Sequence, residues 1–271
     1  MQAKIKHLAI TSDNYALEGK FYEALFGLRA STEHYRPEAA CSLSDGYLGL
    51  NINPRRVGNQ SGLDHFGFEV DDIQTLYARV REAYPMVDWV QRPIIRPFAA
   101  ITMHDPAGNI FDISEVGDAN RKDIYGEGAL ERPPHPRRIH HFTLRALDPP
   151  MLARFYRDVF ELSELPRAAD DPCHYLSDGQ ITLVIAPWRI KDFLGMNIER
   201  PALDHMGFAV ESVEQLQADL EKLIRRNPAL TPKALGCGPE GEARLQLCRA
   251  CRLGTFHLAD LDGVLIDVRA G

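Results

Sequence analysis

The sequence predicts an α+β protein built from four copies of a small unit, which consists of a strand, a helix and about three further strands. The first observation behind this prediction is a repeat between the two halves of the chain. Phe21-Tyr22 recurs at Phe155-Tyr156, and the string Leu-Asp-His-Phe-Gly-Phe at 63–68 recurs at 203–208 with Met in place of the first Phe. The second observation is that each half contains two strand-then-helix openings. Repeats that keep the same order indicate a duplicated structure.

A change in composition separates the two halves. The stretch 118–137 is charged and contains three prolines, which is typical of a linker. We therefore expect a first domain over 1–117, a linker over 118–137 and a second domain over 138–271. Each domain is expected to hold two units, and the cavity of each domain is called its cup below.

Each unit opens with a strand in which apolar and small residues occur at strand spacing. In the first of these strands Leu8 and Ile10 alternate with His7 and Ala9. Because alternate side chains of a strand point to opposite faces, the histidine should lie on the face away from the apolar core. The four strands are predicted over 5–11, 63–70, 139–146 and 203–210.

An amphipathic helix follows each opening strand, since apolar residues then recur every three or four positions. Asp148 before Pro149, and Ser212 three residues before Gln215, are helix start signals. The apolar positions are Leu17, Phe21 and Leu25; Ile73, Leu76 and Val80; Leu152, Phe155 and Val159; and Val213, Leu216, Leu220 and Leu223.

Shorter extended segments, separated by turn signals, complete each unit. In the last segment of each half an aspartate follows a glycine by four residues, Asp112 after Gly108 and Asp267 after Gly263. The apolar neighbours of each aspartate point the opposite way along the strand. Both carboxylates are therefore expected to face a cavity rather than the core.

Composition narrows the classes of function. The net charge of −7 over 271 residues disfavours a broad phosphate-binding surface, so nucleic acid is not an expected partner. No apolar run approaches the ~18 residues needed to span a bilayer, and the start of the chain lacks the apolar stretch of a signal peptide. We expect a cytoplasmic protein without membrane association that binds a small-molecule substrate. A homodimer is left open.

The cysteines allow two interpretations. Five cysteines without an export signal indicate reduced thiols. Cys237, Cys248, Cys251 and His257 are, however, a possible three-cysteine, one-histidine zinc set. Free thiols in a surface excursion are favoured over that set. The excursion makes the second half 15 residues longer than the first between its last two ligand candidates, and it is expected within 226–252 as either a lid or a loop without a role.

Two groups of side chains are expected to converge, one in each cup. Two imidazoles and one carboxylate bind a divalent metal and leave coordination positions open, as catalysis requires. A single strand histidine is more often structural, but three converging positions per half favour metal. Fe(II) or Mn(II) suits this donor set best, and Zn(II), Ni(II) or Co(II) is also possible. The predicted metal ligands are His7, His65 and Asp112 in the first cup, and His141, His205 and Asp267 in the second.

These features together resemble the vicinal oxygen chelate superfamily, which includes glyoxalase I, extradiol ring-cleavage dioxygenases and bleomycin-resistance proteins. The resemblance covers nearly the whole chain. It rests on the strand histidine before a Phe-Tyr helix, on the Asp-His-Phe/Met-Gly-Phe string, and on the turn from Asp105 to Asp112. It implies four βαβββ modules in two half-barrels and a substrate bound through two adjacent oxygens.

The resemblance also implies which branch to expect. A fourth protein ligand, present in members similar to glyoxalase I, should fall at Leu50 or Leu183. Leucine cannot bind metal, so both centres are expected to have three protein ligands, as in the dioxygenases. Two departures are that aspartate replaces the usual glutamate and that no acid–base histidine lies on the strands of Leu50 and Leu183. At the position of the dioxygenase tyrosine stand Thr102 and His257, which are the predicted catalytic residues, with His257 able to move a proton.

We therefore expect a metal-dependent, dioxygenase-like enzyme that acts on a catechol or hydroxy-carbonyl compound. The alternatives are a glyoxalase-like isomerase or lyase, and a binding protein of the bleomycin-resistance type that performs no chemistry. The strand residues 48, 50 and 52, and 181, 183 and 185, are expected to give the cups apolar walls. His104 is expected either in the first pocket or at the surface, His140 outside the second centre, and Glu115 away from the metal.

Overall fold

The backbone of the chain forms two β-sheets, each with helices on one face. The computed structural model describes residues 3–32, 41–93, 98–118, 121–125, 136–193 and 200–271. The elements of the first half are β1 (Lys4–Ser12), α1 (Tyr15–Phe26), β2 (Arg29–Ala30), β3 (Cys41–Ser44), β4 (Gly49–Pro54), β5 (Gly62–Val70), α2 (Ile73–Ala83), β6 (Trp89–Gln91), β7 (Ile101–His104), β8 (Ile110–Glu115) and the short α3 (Lys122–Tyr125).

The second half repeats this order. Its elements are β9 (Arg138–Ala146), α4 (Pro149–Phe160), β10 (Ser163–Glu164), β11 (His174–Ser177), β12 (Thr182–Pro187), the short α5 (Ile190–Phe193), β13 (Leu203–Val210), α6 (Val213–Arg226), a 3-10 turn (Pro228–Leu230), α7 (Gly238–Arg249), β14 (Phe256–Ala259) and β15 (Leu265–Ala270).

The two sheets share one topology. The order is β2-β3-β4-β1-β5-β8-β7-β6 in the first and β10-β11-β12-β9-β13-β15-β14 in the second. In both, the two opening strands lie antiparallel at the centre, and each is flanked by the parallel last strand of its own unit. The predicted α+β fold of four modules in two half-barrels is confirmed, although in the fourth module helix α7 stands where the other modules have their first short strand.

Local sequence explains where the helices begin and end. Asp148 accepts a hydrogen bond from Met151 N at 3.0 Å and Ser212 accepts one from Gln215 N at 3.2 Å, as the start signals predicted. Helix α1 ends at Gly27, whose φ of 68° is the left-handed conformation that glycine adopts at low cost.

One apolar core joins the helices to both sheets. The predicted apolar helix positions Phe21, Leu76, Phe155 and Leu216 are all fully buried in it. Aromatic rings cross from one half to the other, for example Phe68 of the first sheet and Phe160 at the end of α4, whose ring centroids are 4.2 Å apart. Aromatic pairs of this kind stabilise by about 0.5–1.5 kcal/mol beyond their buried area.

The repeated Phe-Tyr pair has a structural role between the halves. Tyr22 of α1 donates a hydrogen bond of 2.9 Å to Asp260 Oδ2 in the closing turn of the second half. Tyr156 of α4 donates one of 2.7 Å to Asp105 Oδ2 in the closing turn of the first half. Each tyrosine is buried, so these reciprocal bonds fix how one half sits on the other.

The region predicted as a linker is partly structured. Residues 119–120 and 126–135 lie outside the described residues. Between these two stretches, α3 packs against the first cup, where Ile124 and Tyr125 are buried with Phe98. The strands of each sheet come from one predicted half. Within the described ranges, no helix is long and apolar enough to cross a membrane.

Candidate metal centres

Three neighbouring strands bring the first set of predicted ligands together. The register places His7 of β1 opposite Gly67 of β5, and Gly67 opposite Asp112 of β8. His65 lies on the same face of β5, two residues before Gly67. His7 Nε2 is 3.1 Å from His65 Nε2, and His65 Nε2 is 3.3 Å from Asp112 Oδ2. One ligand atom from each residue lies within 4.8 Å of the other two, a spacing that one metal ion can bridge.

Gly67 makes this convergence possible. A Cβ atom at this position would lie 2.8 Å from the backbone oxygen of Asp112 and 3.1 Å from Cβ of His7. It would also lie 2.6 Å from the ring of Phe98. The glycine of the repeated Asp-His-x-Gly string is therefore the residue over which the ligand side chains meet.

Hydrogen bonds orient both imidazoles of the first centre. His65 Nδ1 is 2.7 Å from Asp64 Oδ2, and His7 Nδ1 is 3.0 Å from the Tyr125 hydroxyl. Tyr125 in turn donates to Asn51 Oδ1 at 3.0 Å. Since the tyrosine proton goes to Asn51, His7 donates through Nδ1 and keeps Nε2 as an acceptor. Partners of this kind fix the tautomer of metal-binding histidines.

Asp112 is oriented by Thr102, which lies directly opposite it on β7. Thr102 Oγ1 donates a hydrogen bond of 2.5 Å to Asp112 Oδ1. The second oxygen, Oδ2, faces His65. Thr102 thus contacts the carboxylate oxygen that faces away from the histidines, a position that suits a positioning residue.

Charge and burial shift the pKa values in the first centre in opposite directions. Burial, and next the neighbouring His65, lower the pKa of His7 to about 3. Burial also lowers the pKa of His65, but hydrogen bonds to Asp112 and Asp64 outweigh it and raise that pKa to about 9. For Asp112 burial is the largest influence and raises the pKa, yet contact with His65 leaves it below the usual range.

The wall of the first cup differs from the expectation. Leu48, Leu50 and Ile52 were predicted to line the cup, but all three are fully buried in the core on the helix side. The register pairs His7 with Gly49 and Ala9 with Asn51, so the glycine and the asparagine lie on the cup face of β4. The position from which a fourth ligand would come is therefore Asn51, not Leu50. Leu183 lies in the core in the same way.

Two aromatic residues of the first centre were missed by sequence reasoning. The ring of Phe98 stacks on His7 with centroids 5.0 Å apart. Tyr125 covers Gly49, where a Cβ atom would lie 2.1 Å from its ring. Neither residue stands in a repeated string, and Tyr125 falls in the charged stretch predicted as a linker, so the sequence held no signal for them.

The second set of predicted ligands converges in the same manner on β9, β13 and β15. His141 Nε2 is 3.3 Å and His205 Nε2 is 3.4 Å from Asp267 Oδ2. Gly207 lies between the strands of His141 and Asp267, and a Cβ atom there would lie 1.9 Å from the His141 ring. The two centres are therefore equivalent in the positions of their histidines and carboxylates.

A thiol joins the second centre, contrary to the expectation of three protein ligands. Cys251 Sγ lies within 4.8 Å of the ligand atoms of His141, His205 and Asp267. Hydrogen bonds to the two histidines lower the pKa of the Cys251 thiol to about 6, although burial opposes this shift. The second centre thus has four potential ligands.

The cysteines of the excursion are free thiols, as favoured from the sequence, but two of the three do not lie at the surface. Cys248 and Cys251 are buried, so they are not thiols of a surface loop. A shared zinc site with Cys237 is also wrong, because Cys237 is exposed and its thiol contacts Ala234 O at 3.8 Å. Cys248 Sγ donates instead to Asp267 Oδ1 at 3.1 Å, and His257 Nε2 lies 2.8 Å from the same oxygen.

Ion pairs surround Asp204, which contacts His205 on the side of the ring away from the second centre. His205 Nδ1 is 2.8 Å from Asp204 Oδ2. Asp204 is itself paired with Arg145 at 3.1 Å and with Arg244 of helix α7. These arginines hold the pKa of Asp204 well below its usual range, against the effect of burial. Asp204 therefore stays ionised and orients His205 with its Nε2 toward the centre.

Three further side chains take positions outside the centres. His104 contacts Asp105 O through Nδ1 and accepts from Asp88 N at 2.9 Å through Nε2. These contacts place His104 beside the closing turn and not in the first centre. His140 Nε2 lies 3.3 Å from Arg269. Glu115 accepts a hydrogen bond from Ile73 N at 3.4 Å, at the start of α2.

Comparisons with known proteins agree with this architecture. The structure is similar to the Mn(II)-bound glyoxalase from Novosphingobium aromaticivorans, at 15% sequence identity and a TM-score of 0.64 over 98% of this chain and 81% of that chain. It is similar to a catechol 2,3-dioxygenase at 14% identity and a TM-score of 0.64, over 100% of this chain and 89% of that chain. It is also similar to the 2,3-dioxygenase LapB from Pseudomonas sp. KL28, at 15% identity and a TM-score of 0.63, over 99% of this chain and 92% of that chain.

No protein-family model matches the sequence, and no curated protein matches it. At these identities the structural similarities establish the fold. The chain has the fold of the glyoxalases and extradiol dioxygenases, the vicinal oxygen chelate fold, over its whole length. The expected resemblance is thereby confirmed at the level of the fold.

Proposed function

We propose that the first cup is the catalytic centre of a divalent-metal-dependent enzyme that binds a small substrate through two adjacent oxygens. The observation that carries this proposal is the convergence of His7, His65 and Asp112 at a partly accessible position. The side chains of His65 and Asp112 are 20% and 12% exposed, whereas His141, His205 and Asp267 are at most 1% exposed. Of the two centres formed by the described residues, the first is therefore the one whose ligands are partly accessible to solvent.

The donor set fits a metal ion. Each histidine has its Nδ1 occupied by a hydrogen-bond partner and presents Nε2 to the centre, and Asp112 presents Oδ2. Two imidazoles, one carboxylate and open positions suit Fe(II) or Mn(II) best, although Zn(II), Ni(II) or Co(II) also binds such donors. A metal held there supplies Lewis-acid polarisation and a template for two substrate oxygens.

The other residues of the first cup hold this arrangement in place. Asp64 orients His65 through a hydrogen bond, and Thr102 orients Asp112 in the same way. His7 is oriented by Tyr125, whose hydroxyl is hydrogen-bonded to Asn51. The ring of Phe98, stacked on His7, offers an apolar surface beside the centre. We assign Thr102 a positioning role in the first cup. His257 has the matching role beside Asp267.

The preferred reaction is dioxygen-dependent cleavage of a catechol-like substrate, because three protein ligands leave room for substrate and oxygen. Asn51, at the fourth-ligand position, already accepts the proton of Tyr125.

A glyoxalase-like isomerase or lyase reaction is the second candidate. It is favoured by the polar wall formed by Asn51. It is also favoured because, among the described residues, the metal-ligand group of the first cup contains two histidines, His7 and His65, and both are proposed ligands.

Anaerobic loading with Fe(II), followed by air and a panel of catechols, tests the proposal. We expect oxygen consumption and a coloured ring-opened product, both abolished by His65→Ala. His174→Gln is the control, since His174 pairs with Glu164 in the second half, away from both centres. Turnover of a thiol adduct of a 2-oxoaldehyde under Ni(II) or Zn(II), with no reaction of any catechol, would select the isomerase.

A binding protein without chemistry is the remaining outcome. If neither substrate class reacts, while an apolar ligand binds at micromolar concentration in excess chelator, catalysis is excluded and sequestration takes its place. Metal content separates the classes independently, because a sequestering protein has no need for tightly bound metal at His7, His65 and Asp112.

A further inference from the structure

The second cup is closed by a segment that has no counterpart among the described residues of the first half. After α6 the chain passes through the 3-10 turn and forms α7 (Gly238–Arg249), in the interval where the described residues of the first half, 84–93 and 98–100, form only the short strand β6. The turn after α7 carries Cys251 into the cup, where it is 5% exposed. The excursion expected from the sequence is therefore packed over the second cup.

Helix α7 is attached to the second centre at several points. Arg244 pairs with Asp204, which holds His205. Cys248, one helical turn later, donates to Asp267 Oδ1. Cys251 Sγ then lies within 4.8 Å of the ligand atoms of both histidines and of Asp267. The segment meets each element of the centre through a specific polar contact.

We propose that the second cup is a structural zinc site whose four protein ligands are His141, His205, Cys251 and Asp267. Structural zinc sites have four protein ligands and no open position, whereas catalytic sites keep one position for water or substrate. All four residues are buried. In contrast to the first centre, no ligand here is accessible to a substrate.

Two distances between donor atoms match those expected around a tetrahedral ion, and all four donor atoms lie within 4.8 Å of one another. Ligands at about 2.0–2.3 Å from zinc lie roughly 3.3–3.8 Å from one another in a tetrahedron. Asp267 Oδ2 is 3.3 Å from His141 Nε2 and 3.4 Å from His205 Nε2. The thiolate favours zinc over the harder Fe(II) and Mn(II) that suit the first cup. One thiolate and one carboxylate also balance the two charges of the ion, which matters in a buried site.

The supporting contacts are those that a metal site requires. Asp267 Oδ1 is occupied by Cys248 and His257, so Oδ2 remains for the metal. His205 Nδ1 is occupied by Asp204. Zinc bound by Cys251 would join the end of α7 to strands β9, β13 and β15. The expected function of the metal is therefore to hold the excursion closed over the cup.

The test uses His65→Ala protein, in which the first centre has lost a ligand. We expect it to retain about one zinc per chain, with a sulfur neighbour at about 2.3 Å in its zinc X-ray absorption spectrum. Adding Cys251→Ser should remove the sulfur signal and weaken zinc binding by more than the roughly 10–100-fold that loss of a supporting residue costs. Cys237→Ser is the control and should change neither quantity.

A second measurement keeps the test decisive if Cys251→Ser does not fold. Removing zinc from the His65→Ala protein with a chelator should speed hydrogen exchange in 238–255 more than in 3–32. The proposal is overturned if His65→Ala protein retains no metal, or if its zinc has only nitrogen and oxygen neighbours. These outcomes leave the proposed function untouched, since that function depends on the first cup.

Discussion

Thr102 and His257 occupy the same place in the two halves. Each lies directly opposite the carboxylate of its own centre, Thr102 opposite Asp112 and His257 opposite Asp267. Each contacts the Oδ1 oxygen, at 2.5 and 2.8 Å. In both halves one carboxylate oxygen is thus held by a neighbouring strand, and the other faces the histidines of its centre.

Replacing Thr102 by valine should weaken metal binding in the first cup. The substitution keeps the shape of the side chain but removes the hydrogen bond to Asp112 Oδ1, so the carboxylate is no longer held toward the histidines. We expect a loss of affinity of roughly 10–100-fold, measured by competition with a chelator of known affinity. The matched control is Thr231→Val, an exposed position in the second half. Equal affinity in both proteins would contradict the positioning role.

The two glycines between the ligands should not tolerate alanine. In Gly207→Ala the new Cβ would meet the His141 ring at 1.9 Å, and in Gly67→Ala it would meet the backbone oxygen of Asp112 at 2.8 Å. We expect each variant to lose metal from its own cup only. Gly271→Ala is the control, because its nearest contact would be an ordinary 3.6 Å. The prediction is wrong if both variants keep full metal content by elemental analysis.

The sequence was sufficient for the fold and for the two histidines and the aspartate of each centre. Strand parity and the repeated strings determine which face His7, His65 and Asp112 occupy, because one face of each strand must enter the core. The predicted opening strand 203–210 coincides with β13, Leu203–Val210. Patterns of this kind can be recognised in a sequence because burial of one face constrains every residue of the strand.

The side of β4 that faces the cup was not predictable from a spacing count. The resemblance puts the fourth ligand four residues after Gly46, at Leu50, but the register pairs Ala9 with Asn51, which puts Leu50 in the core. A difference of one residue reverses every side chain of a strand. The alternation of Leu48, Leu50 and Ile52 with Gly49 and Asn51 would have been the better guide, since the large apolar residues belong to the core.

Contacts made by irregular segments also could not be predicted from the sequence. Tyr125 reaches His7, and Cys251 reaches His141, from segments without periodicity. Their positions depend on how the chain returns over each cup after a long connection. Local patterns carry no information on that path, so only the structure could add these residues to the centres.

Metal binding in the first cup should release a proton from His65. Its pKa is raised to about 9 in the metal-free protein, so below that pH the ring carries a proton that the metal must displace. We expect affinity to rise about tenfold per pH unit between roughly pH 6 and 9. Calorimetry in buffers of different ionisation enthalpy measures the proton directly.

Asp64→Asn provides the comparison for this prediction. Loss of the carboxylate beside Nδ1 removes one of the interactions that raise the pKa of His65, so fewer protons should be released at neutral pH. Asp13→Asn, which changes an exposed partner of Arg55, is the control. Proton release unchanged by Asp64→Asn would show that Asp64 does not set the protonation of His65.

Glu18 should make the protein less stable as pH rises. Burial, and next the carboxylate of Asp260, raise the pKa of Glu18 to about 9. The folded state therefore keeps a proton that the unfolded chain loses above about pH 4.5. The contribution of Glu18 to stability is full below that pH and declines as the pH rises toward 9.

Glu18→Gln should remove this dependence, because glutamine keeps a neutral group beside Asp260. We expect equal stability at pH 4 and a gain on the order of 1–3 kcal/mol at pH 8, measured by urea unfolding. Glu23→Gln, which changes an exposed pair with Lys20 on the same helix, should alter stability by only about 0.2–0.5 kcal/mol. A Glu18→Gln protein less stable than wild type at pH 8 would contradict the assignment.

The central claim is that the first cup holds an accessible three-ligand metal centre and the second a closed one. Anomalous diffraction from crystals saturated with Mn(II) and Zn(II), recorded at the absorption edge of each metal, tests it most directly. We predict a metal on His7, His65 and Asp112 whose remaining ligands are waters, and a zinc in the second cup whose ligands include Cys251 Sγ. Saturated crystals with no metal between His7, His65 and Asp112 would contradict the account.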